Sequence, residues 1–169
     1  MDNIMKEVYK NVFVGDQNDY EKNSWGEEWN IIQACKEPYH RGALGYKGRG
    51  APKNHPEYLM AKRGNRLILN LIDPENMEYI PKEIIDESIR YIYESIKYGK
   101  KVFIHCNQGK SRSGGIAFLY LISKKIISGD SIEEIKEIFK FKYYPIYEPG
   151  NGMDNFVEKY WKKYQKLNY

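Results

Sequence analysis

A cysteine and an arginine stand six positions apart in the stretch "KVFIHCNQGKSRSGG", residues 101–115. Small and polar residues separate them, directly after one apolar run and directly before another. A thiol beside a cation at the N-terminus of a helix has its pKa lowered to roughly 3.5–7.5. The pattern therefore predicts that Cys106 is a thiolate nucleophile at neutral pH.

The same turn has the composition of a phosphate-binding loop. Gly109 permits close approach of the backbone, and N–H groups at a helix N-terminus attract anions. Arg112 offers a planar pair of donors that matches two phosphate oxygens. The predicted phosphate contacts are Asn107, Gln108, Gly109, Lys110, Ser111 and Arg112. A thiolate below a phosphate held in this way can attack phosphorus.

Four strands are predicted, over residues 11–16, 29–35, 66–72 and 101–106. The last two are nearly continuous apolar runs, which is typical of strands covered on both faces. A helix that starts at Pro81 and stops before Gly99 separates them, with isoleucines at helical spacing. This order implies a right-handed crossover and a parallel pair of strands.

Three more helices are expected beyond Arg112. The first runs to near Gly129, the second is capped by Ser131 and Glu134, and the third closes the chain after "YYPIYEPGNG". We therefore expect an α/β fold, with a central, mostly parallel twisted sheet of four to five strands flanked by helices. The 169 residues suit a single domain spanning 1–169, with a long basic loop at 36–58.

The segment "HCNQGKSRS" resembles the signature loop of cysteine-dependent protein tyrosine phosphatases, in the dual-specificity form His-Cys-x-x-Gly-x-Ser-Arg-Ser. Every fixed position of that pattern is present. The resemblance implies that Cys106 takes the phosphoryl group and that Arg112 holds it. It also implies that Ser113 assists departure of the thiolate, and that His105 orders the loop and makes the cysteine more acidic.

The leaving oxygen of a phosphate ester needs a proton, so the reaction also requires an acid. The family places an aspartic acid some thirty residues before the cysteine, on the loop after the preceding strand. Asp73, in "NLIDPEN", lies 33 positions before Cys106 and directly follows the third predicted strand. A turn residue without chemistry is the other interpretation of this Asp-Pro pair. Glu75 and Asp86 are the weaker substitutes.

The resemblance covers most of the chain, including "NVFVGDQNDY" and "YYPIYEPGNGMDNF". Two departures are Gly114, where many relatives carry proline or threonine, and the loop at 36–58, which is longer than in minimal members. If that loop folds over the site, its basic residues would favour a substrate with several phosphates. A solvated surface loop explains the same charges, so both interpretations stay open. The candidate substrate-binding residues are Arg41, Lys47, Arg49 and Lys53.

The second cysteine, Cys35, follows the second predicted strand. Parallel strands would bring it to the same edge of the sheet as Cys106. In some relatives a cysteine near this place forms a reversible disulfide with the nucleophile and so protects it from overoxidation. The resemblance therefore makes Cys35 a candidate redox partner, and an inert buried thiol is the alternative.

These observations predict a phosphatase that hydrolyses phosphomonoesters through a cysteinyl-phosphate intermediate, without a metal or other cofactor. The expected substrates are phosphotyrosine and phosphoserine or phosphothreonine in proteins. The first alternative is a non-protein polyanion, such as an RNA 5′-triphosphate, a nucleotide or a phosphoinositide. The second is a module that binds phosphate without turnover. Three histidines and two cysteines without ligand spacing argue against a metal site.

Composition indicates the class of protein and its cellular compartment. The chain is 41% apolar and 30% charged, with a formal net charge of +4, which is ordinary for a globular protein. Two cysteines cannot build a disulfide framework, and the N-terminal segment lacks the apolar core of a signal peptide. We therefore expect a cytoplasmic monomer with no membrane insertion and no stable nucleic-acid binding.

Overall fold

The computed structural model describes residues 4–169 and contains a six-stranded β-sheet. Residues 1–3, part of the N-terminal segment that is not expected to be a signal peptide, lie outside that description. The strands lie in the order β1-β2-β6-β3-β5-β4. The four inner strands run parallel, and each outer strand runs antiparallel to its neighbour. The strands are β1 (Lys6–Tyr9), β2 (Val12–Asp16), β3 (Trp29–Gln33), β4 (Met60–Arg63), β5 (Arg66–Leu69) and β6 (Lys101–Cys106).

The α/β class and the mostly parallel sheet are confirmed, and all four predicted strands are present as β2, β3, β5 and β6. The expected number of strands is too small, because the outer strands β1 and β4 have only four residues each and no apolar run. The expected direct pairing of β5 with β6 is wrong. These strands are parallel, but β3 lies between them.

The helices are α1 (Gln17–Lys22), α2 (Arg41–Leu44), α3 (Lys82–Lys97), α4 (Arg112–Ser123), α5 (Ile132–Ile138) and α6 (Asn151–Gln165). Pro81 occupies the N-cap position of α3, one residue before the first residue of the helix. Helix α4 stops at Ser123, before the expected Gly129, and the chain turns at Lys125, which has a φ of 60°. Ser131 caps α5 by accepting a hydrogen bond from Glu134 N, as predicted. Within residues 4–169, every helix is too short or too polar to traverse a bilayer.

The main apolar core lies between one face of the sheet and the helices. Helix α4 packs at its centre, and every residue from Ser113 to Ser123 is buried. Such a helix is apolar all round because neighbours cover every side of it. Since α4 begins at Arg112, directly after the phosphate loop, the core fixes the start of the helix and the loop in front of it.

The other face of the sheet carries an aromatic cluster. The Tyr20 ring stacks on the His105 ring at 4.9 Å between centroids, and the Tyr39 ring meets the same imidazole edge-on at 5.0 Å. Trp25 stacks on Phe103 at 4.7 Å. His105 is therefore sealed against water from this side, with no exposed surface.

The long loop at 36–58 is organised by its own contacts. It includes a kinked turn (Lys36–His40), in which Glu37 has an extended backbone, followed by α2. Arg41 donates to both carboxylate oxygens of Glu37 and to the carbonyls of Tyr46 and Gly48. Asn107 Nδ2 donates to the Glu37 carbonyl at 2.8 Å. The Glu37 carbonyl thus attaches the long loop to the phosphate loop. The Arg41 guanidinium forms its hydrogen bonds within the long loop.

Candidate active site

The predicted nucleophile, arginine and acid line one open pocket of about 500 Å³. Cys106 ends strand β6 and is almost completely buried, while Arg112 begins helix α4. The pocket residues are Asp73, Cys106, Asn107, Gln108, Lys110, Ser111, Arg112, Glu148, Pro149 and Gly150. Most of the predicted phosphate contacts therefore form its floor.

Three carbonyl groups of the phosphate loop, residues 107–111, are held by hydrogen bonds to neighbouring segments. The carbonyls of Asn107, Gly109 and Lys110 accept from Gln17 N at 3.4 Å, Tyr144 Oη at 2.6 Å and Glu148 N at 3.0 Å, respectively. With these carbonyls held in this way, the N–H groups of the loop can point inward at an anion. The arrangement is that of a phosphate cradle.

Gly109 is required in this cradle for two reasons. Its φ is +74°, a backbone conformation that residues with a Cβ rarely adopt. A Cβ at this position would also lie 2.9 Å from the Gly15 carbonyl oxygen. The phosphate loop therefore packs directly on β2, with no room for a side chain.

The Arg112 guanidinium is oriented by two acceptors on different segments. Nη1 donates to the Leu71 carbonyl at 2.9 Å, and Nη2 donates to Asn107 Oδ1 at 2.6 Å. Its Nε is buried and has no hydrogen-bond partner within residues 4–169. A phosphate oxygen in the pocket can accept from that N–H, which is the role expected for this arginine.

Ser113 lies where a hydroxyl can stabilise a thiolate. Its Oγ is 3.2 Å from Cys106 Sγ and 3.4 Å from the Gly15 carbonyl. Both side chains are buried, so water does not compete for the hydroxyl proton. Donation from Ser113 to sulfur would favour the anion when Cys106 is the leaving group.

Asp73 is tied directly to the phosphate loop. Its Oδ1 accepts from Ser111 Oγ at 2.9 Å, and the same Oγ accepts from Gly150 N at 2.9 Å. A Cβ on Gly150 would come within 2.9 Å of Asp73 Oδ1, so the acid packs closely against the chain in front of α6. The carboxyl group is thereby fixed at the wall of the pocket that Cys106 also lines.

The two substitute acids lie elsewhere. Glu75 Oε2 accepts from Asn151 Nδ2 at 2.6 Å, and Asp86 Oδ1 accepts from Tyr164 Oη at 2.6 Å. Neither of them lines the pocket, whereas Glu148 does. Glu148 Oε2 lies 3.7 Å from Lys110 Nζ, and both side chains are largely exposed at the mouth. Of the three acids that the sequence suggested, Asp73 is therefore the one that lines the pocket together with Cys106.

The four basic residues of the long loop, Arg41, Lys47, Arg49 and Lys53, are not among the residues that line this pocket. Arg41 is held by Glu37, and the Arg49 carbonyl accepts from Lys36. Lys110 and Arg112 are the cations of the pocket itself, and Lys110 pairs with Glu148. Substrate binding by the loop therefore stays a prediction, restricted to substrates that extend beyond the pocket.

Burial determines the charge of His105. Desolvation lowers its pKa to about 4, and the nearby Arg112 acts in the same direction, although the hydrogen bond to the Cys106 backbone opposes them. The imidazole is therefore neutral at pH 7. It can order the phosphate loop through its hydrogen bonds, but it adds no positive charge beside the thiol.

The neutral His105 predicts a loss of stability in acid. Between pH 6.5 and pH 4 the unfolded chain takes up a proton that the folded one refuses, so folding becomes less favourable as the pH falls. From pH 7.5 to pH 5 this group alone removes about 2 kcal/mol from the free energy of unfolding. Urea unfolding at both pH values should show that His105→Asn loses about 2 kcal/mol less than the wild type. An equal loss in both proteins would contradict a neutral, buried His105.

Cys35 lies close to the active site, as its position after β3 predicts. Ala34 N donates to the His105 carbonyl at 2.7 Å, directly beside Cys106. Burial raises the pKa of the Cys35 thiol, while Arg112 lowers it and Cys106 raises it, so both of these residues act on Cys35 electrostatically. Both cysteines are free thiols. A peroxide-induced Cys35–Cys106 disulfide stays a prediction, which peptide mapping of the oxidised protein would test.

Sequence reasoning missed several residues that hold the site together. Tyr144 donates to the phosphate loop, Glu148 lines the mouth, and Gly150 supports the acid. All three lie in or beside the segment "YYPIYEPGNG", which the pattern identified only as a loop. Its cluster of Pro and Gly in front of a helix was the available signal, because close backbone approach requires such residues.

Comparisons with known proteins agree with this geometry. The family model described as "Dual specificity phosphatase, catalytic domain" matches residues 51–149. Human tyrosine phosphatase-like serine/threonine/tyrosine-interacting protein is 17% identical, with a TM-score of 0.63, over 95% of this chain and 97% of that one. Human DUSP28 is 15% identical, with a TM-score of 0.62, over 98% of this chain and 97% of that one.

The structure of PTPMT1 in complex with PI(5)P is similar as well, with 17% identity and a TM-score of 0.62 over 95% of this chain and 96% of that one. No curated protein matches the sequence. At these identities the solved structures show the common fold, while the family model covers more than half of the chain, including Asp73, Cys106 and Arg112. The chain belongs to the family of dual specificity phosphatase catalytic domains, a family of cysteine-dependent phosphatases.

Proposed function

We propose that this protein hydrolyses phosphotyrosine and phosphoserine or phosphothreonine in proteins, through a phosphorylated Cys106. The observation that carries the proposal is the common pocket of a buried thiol, an arginine with an unpaired N–H and a carboxyl group. A thiol nucleophile, an anion clamp and an acid are the three parts that the reaction needs. A module that only binds phosphate would need the clamp alone.

In the first step, the Cys106 thiolate attacks phosphorus and an S–P bond forms while the ester P–O bond breaks. The loop N–H groups and Arg112 hold the three phosphoryl oxygens, whose charge is spread in the transition state. Asp73, in its protonated form, delivers its proton to the leaving oxygen. The dephosphorylated alcohol or phenol departs, and Asp73 is left as a carboxylate.

In the second step, water attacks phosphorus and the S–P bond breaks. The Asp73 carboxylate takes a proton from that water, so the acid is regenerated for the next cycle. The electron pair of the broken bond returns to Cys106 sulfur, where the hydroxyl of Ser113, 3.2 Å away, can donate to it. Inorganic phosphate then leaves the pocket.

The charges at the mouth favour a monophosphorylated protein over a polyanion. Beyond Arg112, the cation in the lining is Lys110, and Glu148 partly neutralises it. A second phosphate close to the first would meet the carboxylate of Glu148, and like charges at short range repel. The basic residues of the loop at 36–58 contribute no compensating charge inside the pocket.

The test is phosphate release in the presence of a chelator from a panel of matched substrates. The panel contains phosphotyrosine and phosphothreonine peptides, phosphoinositides, nucleotides and a 5′-triphosphorylated RNA. Cys106→Ser is the inactive variant, and Cys35→Ser is the matched control, because it changes the other buried cysteine. The proposal expects release from the peptides by the wild type and by Cys35→Ser, and none by Cys106→Ser.

Two results would overturn the proposed substrate class. A higher kcat/KM for a polyphosphorylated lipid, nucleotide or RNA would identify a non-protein substrate and would give the loop at 36–58 a role in binding. Absence of release from every substrate, together with tight binding of a phosphopeptide, would identify a binding module.

A further inference from the structure

A chain of hydrogen bonds crosses three strands and ends at the nucleophile. Arg66 Nη1, on β5, donates to Gln33 Oε1 on β3 at 3.0 Å. Gln33 Nε2 lies 3.1 Å from His105 Nε2 on β6. His105 Nδ1 lies 3.2 Å from the carbonyl oxygen of Cys106. Arg66 therefore reaches the active site through two intervening side chains.

The register of the sheet brings these side chains together. Gln33 is paired with His105 on one side and with Ile68 on the other, and Arg66 precedes Ile68 by two residues. Side chains of paired residues, and of residues two apart in a strand, point to the same face. These hydrogen bonds thus lie on the aromatic face of the sheet, where Gln33 and His105 have no exposed surface.

The direction of each hydrogen bond follows from Arg66. A guanidinium has only donors, so the amide oxygen of Gln33 must face it. The amide NH₂ group of Gln33 then faces His105, and Nε2 of the neutral ring must accept from it. The ring proton is left on Nδ1, where it is donated to the Cys106 carbonyl. Arg66, acting through Gln33, and the Cys106 carbonyl, which can only accept, therefore favour the same tautomer of His105.

We propose that Arg66 and Gln33 are positioning residues that hold His105 as the Nδ1–H tautomer and so order the phosphate loop at Cys106. Donation to the Cys106 carbonyl polarises its peptide group, and the N–H on the other end of that group belongs to the phosphate loop. The opposite tautomer would place an unshared pair of Nδ1 against the carbonyl oxygen, which is repulsive. The effect on catalysis rests on the proposed function, whereas the effect on the tautomer of His105 does not.

Arg66→Met is the informative substitution, and Arg66→Lys is its conservative partner, because an ammonium group also donates to an amide oxygen. Without a donor at position 66, the Gln33 amide can rotate and offer its oxygen to His105. Arg63→Met is the matched control. Arg63 stands directly opposite Arg66 in the β4–β5 pair, but it binds Glu57 at 2.8 Å and has no hydrogen bond to Gln33.

Two readouts need no substrate. The ¹⁵N shifts of the His105 ring report its tautomer, and the rate at which iodoacetamide alkylates Cys106, followed by peptide mapping, reports its reactivity. Arg112, Cys35 and Tyr144, which are coupled electrostatically to His105 or Cys106, are unchanged in all variants, and Arg63→Met removes the same charge as Arg66→Met. A change in either readout is therefore attributable to the hydrogen-bond chain.

We expect the wild type, Arg66→Lys and Arg63→Met to show the Nδ1–H tautomer, and Arg66→Met to show a mixture with the Nε2–H form. Alkylation of Cys106 at pH 6 should slow by about 2- to 10-fold in Arg66→Met, the range that one net hydrogen bond supports. If the protein is active, kcat should fall by a similar factor while KM changes little.

A wild-type imidazole spectrum together with a wild-type alkylation rate in Arg66→Met would overturn the proposal. The same shift of tautomer in Arg63→Met would overturn it as well, since any change to the hairpin would then suffice. Neither readout depends on turnover. An enzyme that is inactive on every substrate, but whose tautomer depends on Arg66, would contradict only the proposed function.

Discussion

Replacement of Cys106 by serine should lower phosphate release by about 10⁴-fold or more and leave oxyanion binding within about threefold of the wild type. A serine hydroxyl fits the space of the thiol but stays un-ionised at neutral pH, so the nucleophile is lost. Arg112 and the loop N–H groups, which bind the anion, are unchanged. Phosphate release and calorimetric titration with tungstate would measure the two effects separately.

Cys35→Ser is the control for this variant, because Cys35 is also a buried free thiol and does not line the pocket. It should keep its activity. Turnover by Cys106→Ser at a rate near that of the wild type would remove Cys106 from the mechanism. Loss of both turnover and tungstate binding would instead indicate a collapsed loop, which circular dichroism and urea unfolding would reveal.

Asp73→Asn should separate substrates by their leaving group. We expect kcat to fall by about 10²- to 10⁴-fold on phosphoserine and phosphothreonine peptides, whose alkoxide leaving groups need a proton. On p-nitrophenyl phosphate, whose leaving group is stable as an anion, the loss should be severalfold at most. Asparagine has the shape of aspartate and can still accept from Ser111 Oγ, so the loop should keep its position.

Glu148→Gln is the matched control for Asp73→Asn, because Glu148 is the other carboxylate in the pocket lining. It should lose little activity on either class of substrate. An equal loss for poor and good leaving groups in Asp73→Asn would show that Asp73 does not protonate the leaving oxygen. A selective loss in Glu148→Gln would assign the acid to Glu148 instead.

The central part of the fold was predictable because it rests on long apolar runs. β6 and the helices on either side of it are continuous or periodic enough to be recognised from residue types alone. The short outer strands were not, since β1 and β4 each bury fully only one side chain, Val8 or Ala61, and gain their positions mainly by pairing with a neighbour. The insertion of β3 between β5 and β6 is likewise a tertiary result, which local patterns do not contain.

Some residues of the site were likewise identifiable from the sequence, and others were not. Cys106 and Arg112 were candidates because a thiolate nucleophile and a phosphate clamp require those residue types within one loop, whereas Asp73 was a candidate through the resemblance to the family. The roles of Gln33 and Arg66 depend on the register between three strands, which a single sequence does not display. The part played by Arg41 stays a prediction for a related reason: its charge is visible in the sequence, but its ion pair with Glu37 is seen only in the structure.

The most direct test of the account is to trap the phosphorylated enzyme. Asp73→Asn should be mixed with a good substrate, because removal of the base slows hydrolysis of the intermediate. The mixture is then quenched within milliseconds in denaturant and mapped by mass spectrometry. We predict one phosphoryl group per chain, attached to Cys106 and absent from Cys106→Ser. Turnover without any phosphoryl group on Cys106 would contradict the mechanism, because water would then have attacked the substrate directly.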